Sequence, residues 1–267
     1  MAESGTATFL DPRTADFYRS ALSALIDAHV PFLVGGAYSF ERYTGIARHT
    51  KDFDIFVRKR DCGRALETLA TIGCATDVTF DHWLAKAFRG DEFIDVIWSS
   101  GNGIARVDDL WFAHAVDDVV LGTPVKLCPA EESIWSKSFI MERERFDGAD
   151  VAHLIHAAGE RLDWERLLAR FDGYWRVLFA HLTLFGFIYP DDCAHIPAWV
   201  LKELMHRLEL ELESGADGNH RRVCKGTILS RAQYLADLTR GYADARLVDG
   251  RMSSREIAHW TAAIDED

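Results

Sequence analysis

Apolar residues at Phe17, Leu22, Leu25 and Ile26 recur at helical spacing, so the segment Phe17 to His29 is predicted to be an amphipathic helix. It leads into PFLVGG, a short apolar run after Pro31 that stops at two glycines, the pattern of a buried strand ending in a tight turn. AYSFERYTG then reads as a helix from Ala37, with Gly45 at its C-cap position. DFDIFV is the next strand, CGRALETLATIG a helix closed by Gly73, EFIDVIW a third strand and TPVKL a further short one. Strands alternating with helices in this order predict an α/β or α+β domain around one small mixed sheet.

The pattern changes at Cys128 and Pro129. Pro129 at a helix start, followed by acids in the first turn, predicts a helix over CPAEESIWSKSFIMERERF. VAHLIHAAGERL, DWERLLARFDGYWRVLFAHLTLFGFIY, AWVLKELMHRLELELES and ILSRAQYLADLTRGYADARLV all carry helical periodicity, with few strand-like runs between them. The expected organisation is a sheet-bearing domain over residues 1–128 and a helical bundle over residues 129–267.

Composition narrows the class. The 267 residues are 48% hydrophobic and 27% charged, which fits a chain folded throughout, without low-complexity tracts or repeats. The first residues lack the apolar core of a secretory leader. Tyr174 to Tyr189, the most apolar later segment, is short and contains Arg176 and His181, so a buried helix is favoured over a membrane span. A cytoplasmic protein without membrane association is the expectation. Five scattered cysteines with no CxxC pair fit reduced, structural thiols. The formal net charge of -12 weakens attraction for a polyanion and suits a cationic or neutral partner, so nucleic acid is not favoured. NHRRVCKG, Asn219 to Gly226, is the best candidate for a local basic patch, and a solvated loop is the favoured reading of it.

The chemistry-bearing residues lie in the first half. A strand puts residues i and i+2 on one face, so Asp52 and Asp54 point together while Phe53 and Ile55 face the core. Two carboxylates there repel each other and resist desolvation unless a cation joins them. Asp95, central in EFIDVIW, completes the set if its strand pairs with DFDIFV. Three convergent carboxylates make a hard-oxygen site suited to Mg²⁺. Such sites often hold two ions roughly 3.5–4 Å apart, which clamp the attacking and leaving oxygens of a phosphoryl displacement. Gly35 and Gly36, where a strand turns into a helix, expose backbone N–H groups that a triphosphate can approach, and Ser39 in the first turn can add a hydroxyl.

Gly35-Gly36, then Asp52-x-Asp54 on the following strand, then an isolated Asp95 on a later one resembles the nucleotidyltransferase superfamily with the polymerase-β-type fold. GIARHTKDFDIFV is similar to the Arg-x-Thr-x-Asp-x-Asp segment of its compact bacterial members, and the likeness covers roughly Pro31 to Leu154. The resemblance implies transfer of a nucleoside monophosphate from an NTP, with ATP expected, to a hydroxyl acceptor, releasing pyrophosphate. By position it implies metal binding at Asp52, Asp54 and Asp95, with Asp95 also helping to deprotonate the acceptor, and phosphate contacts at Gly35, Gly36 and Ser39. Gly36 stands where the commoner form has Ser, and the gap from Gly36 to Asp52 is long for the superfamily.

Cations should complete such a site, because a triphosphate with its metals still carries negative charge when pyrophosphate leaves. Arg48 and Lys137 are the favoured nucleotide-binding cations; Lys51 also precedes the acid pair. Arg143 and Arg145 sit among Glu142 and Glu144 and read as surface ion pairs, and Asp150 as a structural partner for an arginine. His82 and Lys86, in HWLAKAF, are second-line candidates for touching substrate. His153 and His156 lack a third ligand and read as a packed or solvated pair. The favoured acceptor is a small cationic or neutral hydroxyl compound such as an antibiotic. The alternatives are a toxin-like enzyme acting on tRNA or protein, and a non-catalytic nucleotide-binding module.

Overall fold

Asp11 starts the first helix, α1 (Pro12–Asp27), by accepting the Arg13 backbone N–H at 2.8 Å, and Pro12 occupies the first turn, where a missing N–H costs nothing. The computed structural model describes residues 10–48, 50, 52–214 and 222–263, which leaves Lys51 and Asn219 to Arg221 outside the described residues. The chain divides into two compact units, Met1–Pro129 and Ala130–Asp267.

In the first unit α1 is followed by β1 (Leu33–Val34), α2 (Gly36–Thr44), β2 (Asp52–Phe56), α3 (Lys59–Thr71), β3 (Ala75–Phe80), β4 (Leu84–Arg89), β5 (Glu92–Ile97), α4 (Asp109–Ala113), β6 (Val116–Val120) and β7 (Thr123–Leu127). The strands form one seven-stranded mixed sheet in the order β3-β4-β5-β2-β1-β7-β6. β2 runs parallel to β5, and β1 parallel to β7 but antiparallel to β2. The fold class is therefore mixed α/β, as the pattern predicts, with a larger sheet than the apolar runs suggest. β3, β4 and β6 add to the four strands read from the apolar runs, and β3 and β6 escape that pattern for one shared reason. Both lie at sheet edges and are largely solvent-facing, so neither carries the apolar alternation that marks a strand with one buried face.

The core of this unit lies under α1 and α3. Phe17, Tyr18, Leu22 and Leu25 from α1 and Leu69 from α3 join Phe53 and Ile55 of β2 and Val96 of β5 in one buried cluster. Phe53 and Ile55 are wholly buried while Asp52 and Asp54 are partly exposed on the other side of the strand. Burying aromatic and branched side chains of this size contributes roughly 1.5–3 kcal/mol each, which fixes the register and hence the face that presents the acids.

In the second unit α5 (Ala130–Lys137), α6 (Gly148–Ala158), α7 (Trp164–Phe171), α8 (Trp175–Ile188) and α9 (Ala198–Ser214) precede a less regular region. That region holds β8 (Val223–Cys224), α10 (Leu235–Thr239), β9 (Ala243–Asp244), α11 (Ala245–Val248) and α12 (Ser254–Ala262). Glu132, fully buried, holds Arg166 at 2.6 Å and Arg170 at 3.1 Å, a network that ties α5 to α7. His181 is buried and donates from Nε2 to the Ser138 carbonyl at 2.9 Å.

Three predicted helices are shorter or broken. The helix after Pro129 stops at Lys137; the chain then forms an antiparallel bridge between Met141 and Phe146, and Lys137 and Arg145 both reach back to Asp147. The long helix predicted from Asp163 to Tyr189 breaks at Asp172, whose φ of 35° no α-helix accommodates. The stretch from Ile228 to Val248 is not one helix, because the buried Asp244 accepts hydrogen bonds from Thr227 and Arg246 and pulls the chain into β9 before capping α11. The second unit thus includes a short parallel strand pair, β8 with β9, that helical periodicity did not suggest.

Candidate active site

β1 ends at Val34 and the chain enters α2 through the two glycines. Gly36 adopts φ +55°, and a Cβ placed on it would lie 1.8 Å from Asp54 Oδ2. Only a residue without a side chain permits both that conformation and that approach. At Gly35 the obstacle differs: a Cβ there would meet the Phe56 ring at 2.1 Å. Gly35 N–H donates to Asp54 O at 3.0 Å, and the first intrahelical bond runs from Ser39 N to Gly35 O. The preceding first-turn N–H groups have no intrahelical acceptor, so the positive end of α2 faces the strand that carries the acids.

The parallel pairing of β2 with β5 sets Asp54 directly opposite Asp95. Asp52, Asp54 and Asp95 each bring a carboxylate oxygen within 4.8 Å of the others. Two of these carboxylates are partly exposed and Asp95 is buried. Burial pushes the Asp95 carboxyl above its ordinary range; Lys86 pulls it down, and the negative Asp52 adds to the rise. The same field reaches Tyr18, whose phenol is held well above its usual range by burial first and then by Glu92, Asp52, Asp54 and Asp95. An all-oxygen donor set at this spacing, in a locally negative field, fits a hard divalent cation.

The other candidates engage groups of their own. Ser39 is buried, and its hydroxyl donates to the Gly36 carbonyl at 3.3 Å, as a serine inside a helix commonly does. Arg48 precedes β2 and stacks its guanidinium over the Phe40 ring at 4.2 Å. Lys137 belongs to the second unit, where it pairs with Asp150 at 2.8 Å and Asp147 at 3.3 Å. Asp150, expected to bond an arginine, thus holds this lysine. His82 Nε2 donates to the Gly101 carbonyl at 2.8 Å and anchors a loop.

Two further residues join the acids. Thr50 donates its hydroxyl to Asp52 Oδ1, and its place two residues before Asp52 was a readable signal, since alternation carries it to the same face. Lys86, weighed from the sequence for contact with substrate, bonds Asp95 Oδ1 at 2.8 Å from the neighbouring strand β4. Its signal was a lysine between Ala85 and Ala87, both wholly buried.

Neither a family model nor a curated protein matches the sequence. Among solved structures, the chain is similar to the solution structure of the antibiotic-resistance factor ANT(2'')-Ia, at 18% identity over 64% of this chain and 98% of that one, with a TM-score of 0.45. It is also similar to the lincomycin-bound lincosamide antibiotic adenylyltransferase LnuA, at 13% identity over 52% and 94%, TM-score 0.38. A third is JHP933 from Helicobacter pylori, at 12% identity over 77% and 97%, TM-score 0.35. These are partial likenesses at low identity, and the chemistry below rests on this chain's own side chains. No helix among the described residues is long and apolar enough to cross a membrane.

Proposed function

We propose that the protein is a Mg²⁺-dependent nucleotidyltransferase, one that moves a nucleoside monophosphate from an NTP to a hydroxyl of a small-molecule acceptor and releases pyrophosphate. The observation that carries the reading is the convergence of Asp52, Asp54 and Asp95 within 4.8 Å, beside a helix start whose Gly36 lies against Asp54. A bound Mg²⁺ pair would polarise the reacting phosphoryl group and offset the charge that develops as pyrophosphate leaves.

Asp52 and Asp54 are the residues that would hold the metals, with Asp52 fixed in orientation by Thr50. Asp95 would share in metal binding and take the proton of the acceptor hydroxyl; burial makes its carboxylate more basic than an exposed one, which suits a general base. The backbone N–H groups at the start of α2 would receive the β- and γ-phosphates. Ser39 can add its hydroxyl only by leaving the Gly36 carbonyl. Arg48 and Lys137 remain the proposed cations for the nucleotide, ATP the proposed donor and the cytoplasm the proposed location.

The formal net charge of -12 supports a cationic or neutral acceptor, such as an aminoglycoside-like antibiotic, over a polyanion. The test is incubation with each Mg-NTP and a panel of hydroxylated antibiotics, following pyrophosphate and the mass of the acceptor. An acceptor that gains a nucleoside monophosphate supports the proposal. Tight NTP binding with no pyrophosphate from any pair would favour a nucleotide-binding module, and labelling of tRNA or protein alone would move the acceptor to the toxin-like class.

A further inference from the structure

Lys86 lies on β4 directly across the antiparallel ladder from Asp95 on β5. Its ammonium bonds Asp95 Oδ1 at 2.8 Å and stands 4.0 Å from the centre of the Phe93 ring. The pair is largely screened from water, with side-chain exposures of 23% for Lys86 and 13% for Asp95. Three carboxylates within 4.8 Å of one another repel, and the buried member would carry an uncompensated charge without a cation at hand. Asp95 has that cation from the chain itself, held in place by the strand register and by the aromatic face beneath it.

We infer that Lys86 acts as a resident counter-ion that competes with divalent metal for Asp95, so that the free enzyme binds metal weakly and metal arrives with the nucleotide. The inference rests on the metal site proposed above. With Lys86 in place one oxygen of Asp95 is already engaged, and a divalent cation entering the triad meets a fixed positive charge on the same carboxylate. Both effects lower affinity for the bare ion. A nucleotide triphosphate brings its own oxygens and negative charge, which offset what Lys86 takes away. Lys86 is thus a positioning and tuning residue for the metal site, in a role separate from contact with substrate.

The test is Mn²⁺ binding to the nucleotide-free protein by titration calorimetry, together with thermal unfolding in EDTA and in Mn²⁺. Lys86→Met should bind Mn²⁺ about tenfold or more tightly than wild type, because removing the competing charge leaves Asp95 a buried, unpaired carboxylate. The same variant should unfold at a lower temperature in EDTA and gain more from Mn²⁺ than wild type does. Lys86→Arg, which keeps the charge, should stay near wild-type affinity. If Lys86→Met does not fold, Lys86→Gln carries the same comparison. Equal or weaker Mn²⁺ binding by the neutral variant, with measurable binding by wild type, overturns the role given to Lys86. Absence of Mn²⁺ binding by wild type and variant alike, with unfolding unchanged by the ion, overturns the metal site itself.

Discussion

Replacing Gly36 by alanine tests the joint between the helix start and the acids. The new Cβ would lie 1.8 Å from Asp54 Oδ2, whereas ordinary van der Waals contact begins at 3.4 Å, so the carboxylate must retreat by roughly 1.6 Å or the helix start must shift by as much. Metal sites tolerate ligand displacements of about 0.2 Å, and misplacing a reacting group by about 1 Å can cost on the order of 10²-fold in rate. Holding alanine at φ +55° adds about 1–2 kcal/mol of backbone strain. Gly45→Ala separates the two effects: Gly45 has φ +73° with open space around its Cβ position, so it carries the strain and leaves Asp54 untouched. Both variants should unfold earlier in denaturant. Gly36→Ala alone should lose Mn²⁺ affinity and at least about 10²-fold in pyrophosphate release. If Gly36→Ala retained wild-type metal binding and turnover, the close approach of Gly36 to Asp54 would have no part in building the site, and the reasoning from its geometry would fail.

Asp52→Asn and Asp54→Asn should each abolish nucleotidyl transfer while far-UV circular dichroism stays native, because each removes a charge from a partly exposed face and leaves the buried Phe53 and Ile55 in place. Thr50→Val should lower turnover about tenfold by freeing the Asp52 carboxylate, at a cost near 1 kcal/mol for the lost hydrogen bond, and Thr50→Ser should restore it; equal rates for the two variants would deny the hydroxyl a role. Lys137→Ala should raise the NTP dissociation constant, and an unchanged value would remove Lys137 from nucleotide binding. For His181, burial lowers the folded-state pKa below the ordinary histidine value of about 6.5 against the pull of the Ser138 carbonyl, so the unfolded chain takes up the proton first. Stability should therefore be full above pH 6.5 and fall as pH drops below it, by about 1.4 kcal/mol for each unit of depression. Urea titrations of wild type and His181→Gln between pH 7.5 and about 5 check this: the variant should show the shallower pH dependence.

Much of the first unit was legible because it depends on local periodicity. Alternation placed Asp52 and Asp54 on one face and Phe53 and Ile55 on the other, and the glycine pair marked where β1 turns into α2. Gly45 as the left-handed end of α2 was readable for the same reason, since its N–H closes on Glu41 O at 2.7 Å. Where the reading fell short, solvent exposure and single interrupting residues decided. β3 and β6 are edge strands whose exposure removes the alternation that would reveal them. Asp172 and Asp244 interrupt otherwise helical patterns, Asp172 through a positive φ and Asp244 through its ion pair with Arg246.

By itself the sequence determined that three aspartates and a glycine pair lie on or beside strands of one sheet-bearing unit, because side-chain alternation and glycine's conformational freedom are properties of a few consecutive residues. Only the tertiary structure decided that β5 runs parallel beside β2 and sets Asp95 opposite Asp54, and that β4 brings Lys86 onto Asp95. It also decided that Gly36 packs against the Asp54 carboxylate. Strand order and register come from burying the side chains of β2 and β5 against α1 and α3 together, a sum over the whole core that no local pattern contains.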